Sequence, residues 1–441
     1  MPPTLHSPEI TVPFQKSTER SVLPPQHLGF LDGIRGLAAL YVVLHHAWLQ
    51  TWPTIIYGNP PHGLTAVFTG WLLFGHFAVT VFITLSGFCL MLPVARTGGI
   101  LRGGTGTFLK RRARRILPPY YAALALSLLI ACLFLKVHTH TLYDASLPVT
   151  WPGVWEHVFL FHNLTAASPQ INGPLWSVAV ECQIYLFFPL LIWITARYGI
   201  FAALLSTCFG SLFLYAASLH SPTLSQTPYY FLFIFVMGMF AAYAVFRPCI
   251  AMRPAKNRIV FAVASTLFGA VIAAVGHRFF PDAHLETFAL GAAMVAALFC
   301  LWGSAPRNFA ILGAISFGLW LGLAALYRMQ HLVITDLLIG LATACTLVVL
   351  TQTPSGLLYE LFSARWATWL GTFSYSLYLI HFPLQQLFWQ WAVAPFPKLS
   401  GVIGFSIVGV IGTAIIVPAA YAFYWFFERP FVSGSTAGKK M

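Results

Sequence analysis

The sequence predicts an all-α protein: a polytopic transmembrane helical bundle of about ten to twelve spanning helices. Three observations predict it. Of 441 residues, 58% are hydrophobic, 16% aromatic and only 8% charged, where soluble domains carry about 25% charged residues. Apolar stretches recur at close to the ~20 residues a helix needs to cross hydrocarbon. The basic residues behind the net charge of +13 cluster in short connectors, which fits positive-inside topology rather than a nucleic-acid surface.

Residues 1–27 are polar and rich in proline and serine, with Lys16, Glu19 and Arg20. They have no apolar core ahead of a small-residue cleavage site, so the first span is expected to act as the insertion signal. The domain reading is a cytoplasmic tail over 1–27, a membrane domain over 28–431 and a second tail over 432–441.

Spans are expected at 31–49, 72–94, 116–136, 175–196, 199–219, 229–247, 258–276, 285–303, 309–327, 331–350, 369–391 and 402–427. With the N-terminus inside, the cytoplasmic connectors carry Arg96, Arg102, Lys110, Arg111, Arg112, Arg114 and Arg115, then Arg197, Arg247, Arg253, Lys256, Arg258, Arg307 and Arg365. The outer connectors keep only Lys136, Arg278, Arg328 and Lys398. This asymmetry predicts a multi-pass protein with both termini cytoplasmic, and the membrane expected is the plasma membrane.

The pair 309–327 and 331–350 reads either as two spans or as re-entrant segments, which leaves the parity unchanged. The largest outer connector, about 137–174, contains His138, His140, His157 and His162 and is long enough for a lid or acceptor-binding loop. Asn163-Leu-Thr165 in it fits a glycosylation sequon. The glycine-rich stretch 97–107 reads as a flexible linker. Cys89, Cys132, Cys182, Cys208, Cys249, Cys300 and Cys345 lie in or beside apolar runs at no metal-ligand spacing, so buried small hydrophobes are expected and no metal site.

Ionisable side chains inside a bilayer are expensive and therefore candidates for function. Arg35 and His46 are eleven residues apart in the first span, which puts them about 20° apart around a helix and about 16 Å apart along it. The alternative for Arg35 is a snorkelling anchor, and for His46 an interhelical hydrogen-bond partner. Arg111-Arg-Ala-Arg-Arg115 precedes the third span. It suits either lipid headgroups or a phosphorylated ligand, and Arg112 and Arg115 share a helix face. Glu181 lies about two turns into the fourth span, and His381 in the outer half of its own. A carboxylate near imidazoles is how enzymes orient a histidine base. Ser86 in Leu85-Ser-Gly-Phe88 reads as a nucleophile or a packing residue, and His138-Thr-His140 more simply as a solvated loop than a metal pair.

These segments together resemble the acyltransferase-3 family of membrane O-acyltransferases, which modify cell-surface and secreted carbohydrates. The resemblance runs from about Gly29 to Phe431. It rests on Leu31-Asp-Gly-Ile-Arg-Gly36 with Arg35 and His46, Leu85-Ser-Gly-Phe88, and Arg112 and Arg115 before Ile-Leu-Pro118. It continues through Asn172-Gly-Pro-Leu-Trp-Ser177 with Glu181, Tyr375-Ser-Leu-Tyr-Leu-Ile-His381 and Glu428-Arg-Pro430.

The resemblance implies an acyltransferase whose co-substrate is cytoplasmic acyl-CoA, most simply acetyl-CoA, with no permanently bound cofactor. It implies that Arg35, Arg112 and Arg115 bind the CoA phosphates. It makes His46 the general base on the acceptor hydroxyl, with Glu181 orienting it or stabilising its charged form, and Ser86, Trp176, Tyr378 and His381 in support. The implied partners are acyl-CoA, a carbohydrate or glycolipid acceptor and the lipid bilayer, and no nucleic acid. Some family members continue into a soluble hydrolase-like domain, whereas this chain is expected to end shortly after Phe431. Twelve spans also exceed the family's usual ten. The rival reading is a transporter or flippase that uses the same His and Glu as a proton relay. Such proteins built from inverted repeats show matched broken spans, and no convincing pair is present.

Overall fold

The computed structural model describes residues 28–53, 60–135, 139–218, 229–246, 286–302, 304–327, 332–396, 399 and 401–432. Among these residues the secondary structure is helical, with no strand. The expected span at 258–276, both tails, Cys249 and His138 lie outside the described residues.

The first helix, α1 (Gly29–Thr51), runs unbroken through both Arg35 and His46. A short α2 (Gly63–Thr69) and a 3₁₀ turn lead into α3 (His76–Arg96). Next come α4 (Gly104–Leu133), the connector helix α5 (Trp151–Val158), α6 (Trp176–Tyr198), α7 (Ile200–Ser218) and α8 (Phe231–Phe246). The remainder is α9 (Glu286–Leu301), α10 (Pro306–Tyr327), α11 (Leu332–Gln352), α12 (Leu357–Ser363), α13 (Arg365–Thr372), α14 (Ser374–Ala392) and α15 (Val402–Val432).

Every expected span other than 258–276 falls on described helix, with 369–391 divided between α13 and α14. Among the described residues, five helical stretches are long and apolar enough to cross a membrane by length and composition alone. They are Gly63–Arg96, Gly104–Leu133, Gly173–Tyr198, Val333–Gln352 and Val402–Val432. The segment 309–350 forms two separate helices, α10 and α11, that pack on each other. Large apolar side chains such as Phe187, Trp193, Ile315, Val410 and Phe426 are exposed on the exterior, the arrangement a bilayer demands of an integral membrane protein.

Two boundaries differ from expectation. The third span starts at Gly104, not near 116, because the left-handed turn at Gly103 and Gly104 ends the connector there. The arginine run is therefore helical. The span at 369–391 is broken at Phe373 into α13 and α14. The buried Glu428 carboxylate caps the new helix start, accepting from Ser376 N at 3.2 Å and Ser376 Oγ at 2.5 Å. Those orphan N–H groups at a helix N-terminus need such an acceptor. The cysteines also divide: Cys208 and Cys345 are buried, Cys89 and Cys182 half-buried, and Cys132 and Cys300 exposed. The exposed pair sits on the apolar exterior, where a small hydrophobe is at home.

Close helix crossings set the frame of the interior. A Cβ on Gly87 would stand 2.0 Å from Phe235 O, and one on Gly238 would stand 1.9 Å from Thr84 O. Helices α3 and α8 thus meet backbone to backbone, as small residues allow in membranes. On its other side α1 packs against α12, α13 and α14.

Candidate active site

Two adjoining cavities occupy the bundle between α1, α3, α4, α6 and α14. The first, of about 210 Å³, is lined by Arg35, Arg112 and Arg115 together with Ser86, Glu181 and Tyr185. Arg35 is held by Asp32 one turn earlier on α1, Nη1 to Oδ1 at 2.9 Å, while its Nη2 lies 2.9 Å from Cys89 Sγ. On α4 the three-residue spacing brings Arg112 and Arg115 to the same cavity. Arg112 Nε is buried with no hydrogen-bond partner among the described residues, a donor left for a ligand. Glu181 accepts from the Tyr185 hydroxyl and from Ser86 Oγ at 3.3 Å, and Ser86 Oγ lies 2.7 Å from Tyr185 Oη.

The second cavity, of about 420 Å³, is lined by His45, His46, His76 and Trp176 and by residues of the 139–174 connector. His46 Nδ1 lies 3.0 Å from Val42 O, and His381 Nδ1 lies 2.7 Å from Tyr378 O. Carbonyls only accept, so both rings carry their proton on Nδ1 in this arrangement. His381 Nε2 is then a bare lone pair, and it lies 3.1 Å from His46 Nδ1. The His46 Nδ1–H is shared between Val42 O and His381 Nε2. What remains is His46 Nε2, a lone pair with no protein hydrogen bond among the described residues. That is the geometry of a general base.

Val79 and Tyr378 line both cavities. The Tyr378 hydroxyl donates to Pro174 O at 2.9 Å and lies 2.7 Å from Ser177 Oγ. The Asn172-Gly-Pro-Leu-Trp-Ser177 segment thereby fixes the wall between them. Asn172 has a second task. Pro383 has no N–H for Leu379 O, four residues earlier in α14, and Asn172 Nδ2 supplies the missing donor at 3.0 Å. Gln385 Nε2 donates to Val43 O at 2.7 Å, and Gln386 pairs with Gln50. These bonds lock α14 to α1 beside the histidine pair.

The long connector covers the histidine cavity, with Leu142, Ala145, Ser146, Ser168 and Pro169 in its wall. His157 and His162 stack inside it with ring centroids 3.7 Å apart and planes 8° apart, both fully buried. Burial, and then the neighbouring His157, push His162 down to about 3. Burial also lowers His157. Asn163 is buried and exchanges amide hydrogen bonds with Gln183 at 3.1 and 2.8 Å. The expected glycan acceptor is therefore closed off, because its side chain is committed to packing. His140 is exposed.

The structure thus gathers Arg35, Arg112, Arg115, Ser86 and Glu181 in one cavity and His46 and Trp176 in the other. Tyr378 lies between them, and His381 is fully buried behind His46. The carboxylate–imidazole pair expected between Glu181 and His46 is not formed. Glu181 is engaged by Ser86 and Tyr185 on the arginine side, and His381 takes the place beside His46. Sequence reasoning missed Asp336, whose buried carboxylate lies 2.9 Å from His76 Nε2. The signal was present: an acidic residue inside an apolar span.

The chain is similar in sequence to several known proteins. Over 421 residues the chain is 25% identical to the "Putative peptidoglycan O-acetyltransferase YrhL" of Bacillus subtilis, covering 91% of this chain and 54% of that protein. It is 28% identical over 181 residues to nodulation protein 10 of Rhizobium leguminosarum, 39% of this chain and 46% of the relative. It is 25% identical over 173 residues to the O-acetyltransferase OatA of Staphylococcus aureus, 38% of this chain and 25% of the relative. The chain thus spans about half or less of the length of these relatives. No solved structure matches it. The family model described as an acyltransferase domain matches residues 28–350. The chain belongs to the acyltransferase-3 family.

Proposed function

We propose that the protein is a membrane O-acyltransferase that moves an acyl group, most simply acetyl, from cytoplasmic acyl-CoA to a hydroxyl of a cell-surface or lipid-linked carbohydrate. The observation that carries this reading is the pair of cavities sharing Val79 and Tyr378, one ringed by arginines and the other holding a bare imidazole nitrogen. The three guanidinium groups suit the phosphates of CoA, and the arginine end faces the cytoplasm in this account. The thioester arm extends past Val79 and Tyr378 toward His46. His46 Nε2 takes the acceptor's proton as its oxygen attacks the thioester carbonyl, and His381 fixes the ring. Glu181 belongs to the donor side, where it orders Ser86 and Tyr185. The 139–174 connector shields the reaction from water. The carbohydrate acceptor is supported by the printed name of one relative, a "Putative peptidoglycan O-acetyltransferase".

The test is acyl transfer in isolated membranes containing the full chain, with labelled acetyl-CoA supplied and label counted in glycan and lipid-linked fractions. Label above that of membranes lacking the protein supports the reading. Transport of a solute without any label transfer would replace it with the proton-relay reading.

A further inference from the structure

A second ionisable pair stands at the histidine cavity and has no part in the steps above. Asp336 lies in the apolar helix α11 and is fully buried. Its carboxylate accepts from Thr80 Oγ1 at 2.6 Å and from Tyr230 Oη at 2.8 Å, and lies 2.9 Å from His76 Nε2. A carboxylate so placed is costly unless a positive partner compensates it. His76 is the basic side chain that reaches it among the described residues. His76 is the first residue of α3, and its side chain keeps 21% of its surface exposed. The ring stacks on Trp176, centroids 5.5 Å apart and planes 13° apart. Both rings line the cavity that holds His46. With Nε2 committed to Asp336, Nδ1 has no hydrogen-bond partner among the described residues. An anchor between α3, α8 and α11 would need only neutral groups, and it would not need a ring in the cavity wall.

We propose that His76, carried as an imidazolium on Asp336, donates through Nδ1–H to the oxyanion formed during acyl transfer. The inference rests on the acyl-transfer reading of this cavity. The acceptor O–H gives its proton to His46 Nε2, and the oxygen forms a bond to the thioester carbonyl carbon. The carbonyl π electrons move to its oxygen, which His76 Nδ1–H holds. When the carbon–oxygen double bond re-forms, the carbon–sulfur bond breaks, its electron pair leaves on sulfur, and His46 returns the proton to give the thiol. His76 keeps its own proton throughout, and Asp336 is the positioning residue that holds it there. The cavity therefore has two imidazoles with opposite tasks: one takes a proton and one lends its own.

The experiment uses the full chain in membranes with labelled acetyl-CoA and reads bound donor and transferred label separately. His76→Ala is expected to lower turnover about 10²–10³-fold, the loss typical of one oxyanion donor, with donor binding unchanged. The double variant His76→Gln with Asp336→Asn keeps a neutral hydrogen-bonded pair in place of the ionic one. It should match the wild type in thermal midpoint and donor binding and still lose most of its turnover. A double variant that turns over at the wild-type rate overturns the proposal and leaves acyl transfer standing. A wild type that binds donor but transfers no label, like His46→Ala beside it, removes the underlying reading and this role together.

Discussion

His381 Nε2 stands 3.1 Å from His46 Nδ1, joining α14 to α1 across 335 residues of sequence. The contact fixes which nitrogen of His46 is free, because the shared proton cannot leave Nδ1 while Val42 O and His381 both hold it. Replacing His381 by Phe keeps a planar ring and removes the acceptor. We expect turnover to fall about 10–100-fold, the scale of a small misplacement of a catalytic group, with the KM for acyl-CoA unchanged. Steady-state kinetics in membranes checks this, and a raised KM with normal turnover would contradict it.

The arginine cavity predicts the opposite split. A hydrogen bond to a charged group is worth about 1.5–3 kcal/mol, so Arg112→Ala should raise the acyl-CoA KM about 10–100-fold. Turnover at saturating donor should change little. Raising ionic strength should weaken wild-type donor binding in the same sense, and direct binding of labelled acetyl-CoA at two salt concentrations measures it.

Val79 and Tyr378 form the wall between the cavities, so side-chain bulk there controls passage. Val79→Phe should slow transfer about tenfold or more while leaving donor binding intact, as expected when reacting groups are kept from their aligned geometry. Val79→Ala should raise turnover with butyryl-CoA relative to acetyl-CoA, read from paired assays with the two donors.

The connector over the histidine cavity carries a pH signature. His162 is held near 3 against an ordinary value of 6.5, and His157 is lowered in the same direction. Below 6.5 the unfolded connector takes up protons that the folded one refuses. Its folded form is therefore fully stable above that pH and loses stability as pH falls toward 3. Hydrogen-exchange protection over residues 150–165, taken relative to the intrinsic exchange rate at each pH, should fall between pH 7 and pH 4.5, and His162→Phe should flatten that fall.

Backbone contact between α3 and α8 makes Gly87 and Gly238 intolerant of side chains. A Cβ on Gly87 meets Phe235 O at 2.0 Å, so Gly87→Val should cost about 1–3 kcal/mol or more through overpacking. Thermal unfolding of the purified protein in detergent reads the loss.

Much of this architecture was legible in the sequence, since apolar length and charge placement are properties of single segments. The Arg35–His46 spacing survived because α1 is one unbroken helix. The pairing of side chains across helices was not legible. Glu181 and His381 sit at comparable positions in their spans, yet only His381 meets His46, and that choice is made by helix packing. Glu428 shows the same limit: its segment reads as a motif, but its task of capping α14 depends on the break at Phe373. Asp336 was visible as a lone acid in an apolar span, but its partner lies 260 residues away.

On the proposed function, donor binding and chemistry occupy separate cavities joined at Val79 and Tyr378. The deciding measurement is bound and transferred label for His46→Ala in membranes given labelled acetyl-CoA. Donor should bind at the wild-type level and no label should reach the acceptor fraction. Transfer at the wild-type rate, or loss of donor binding with the fold intact, would contradict it.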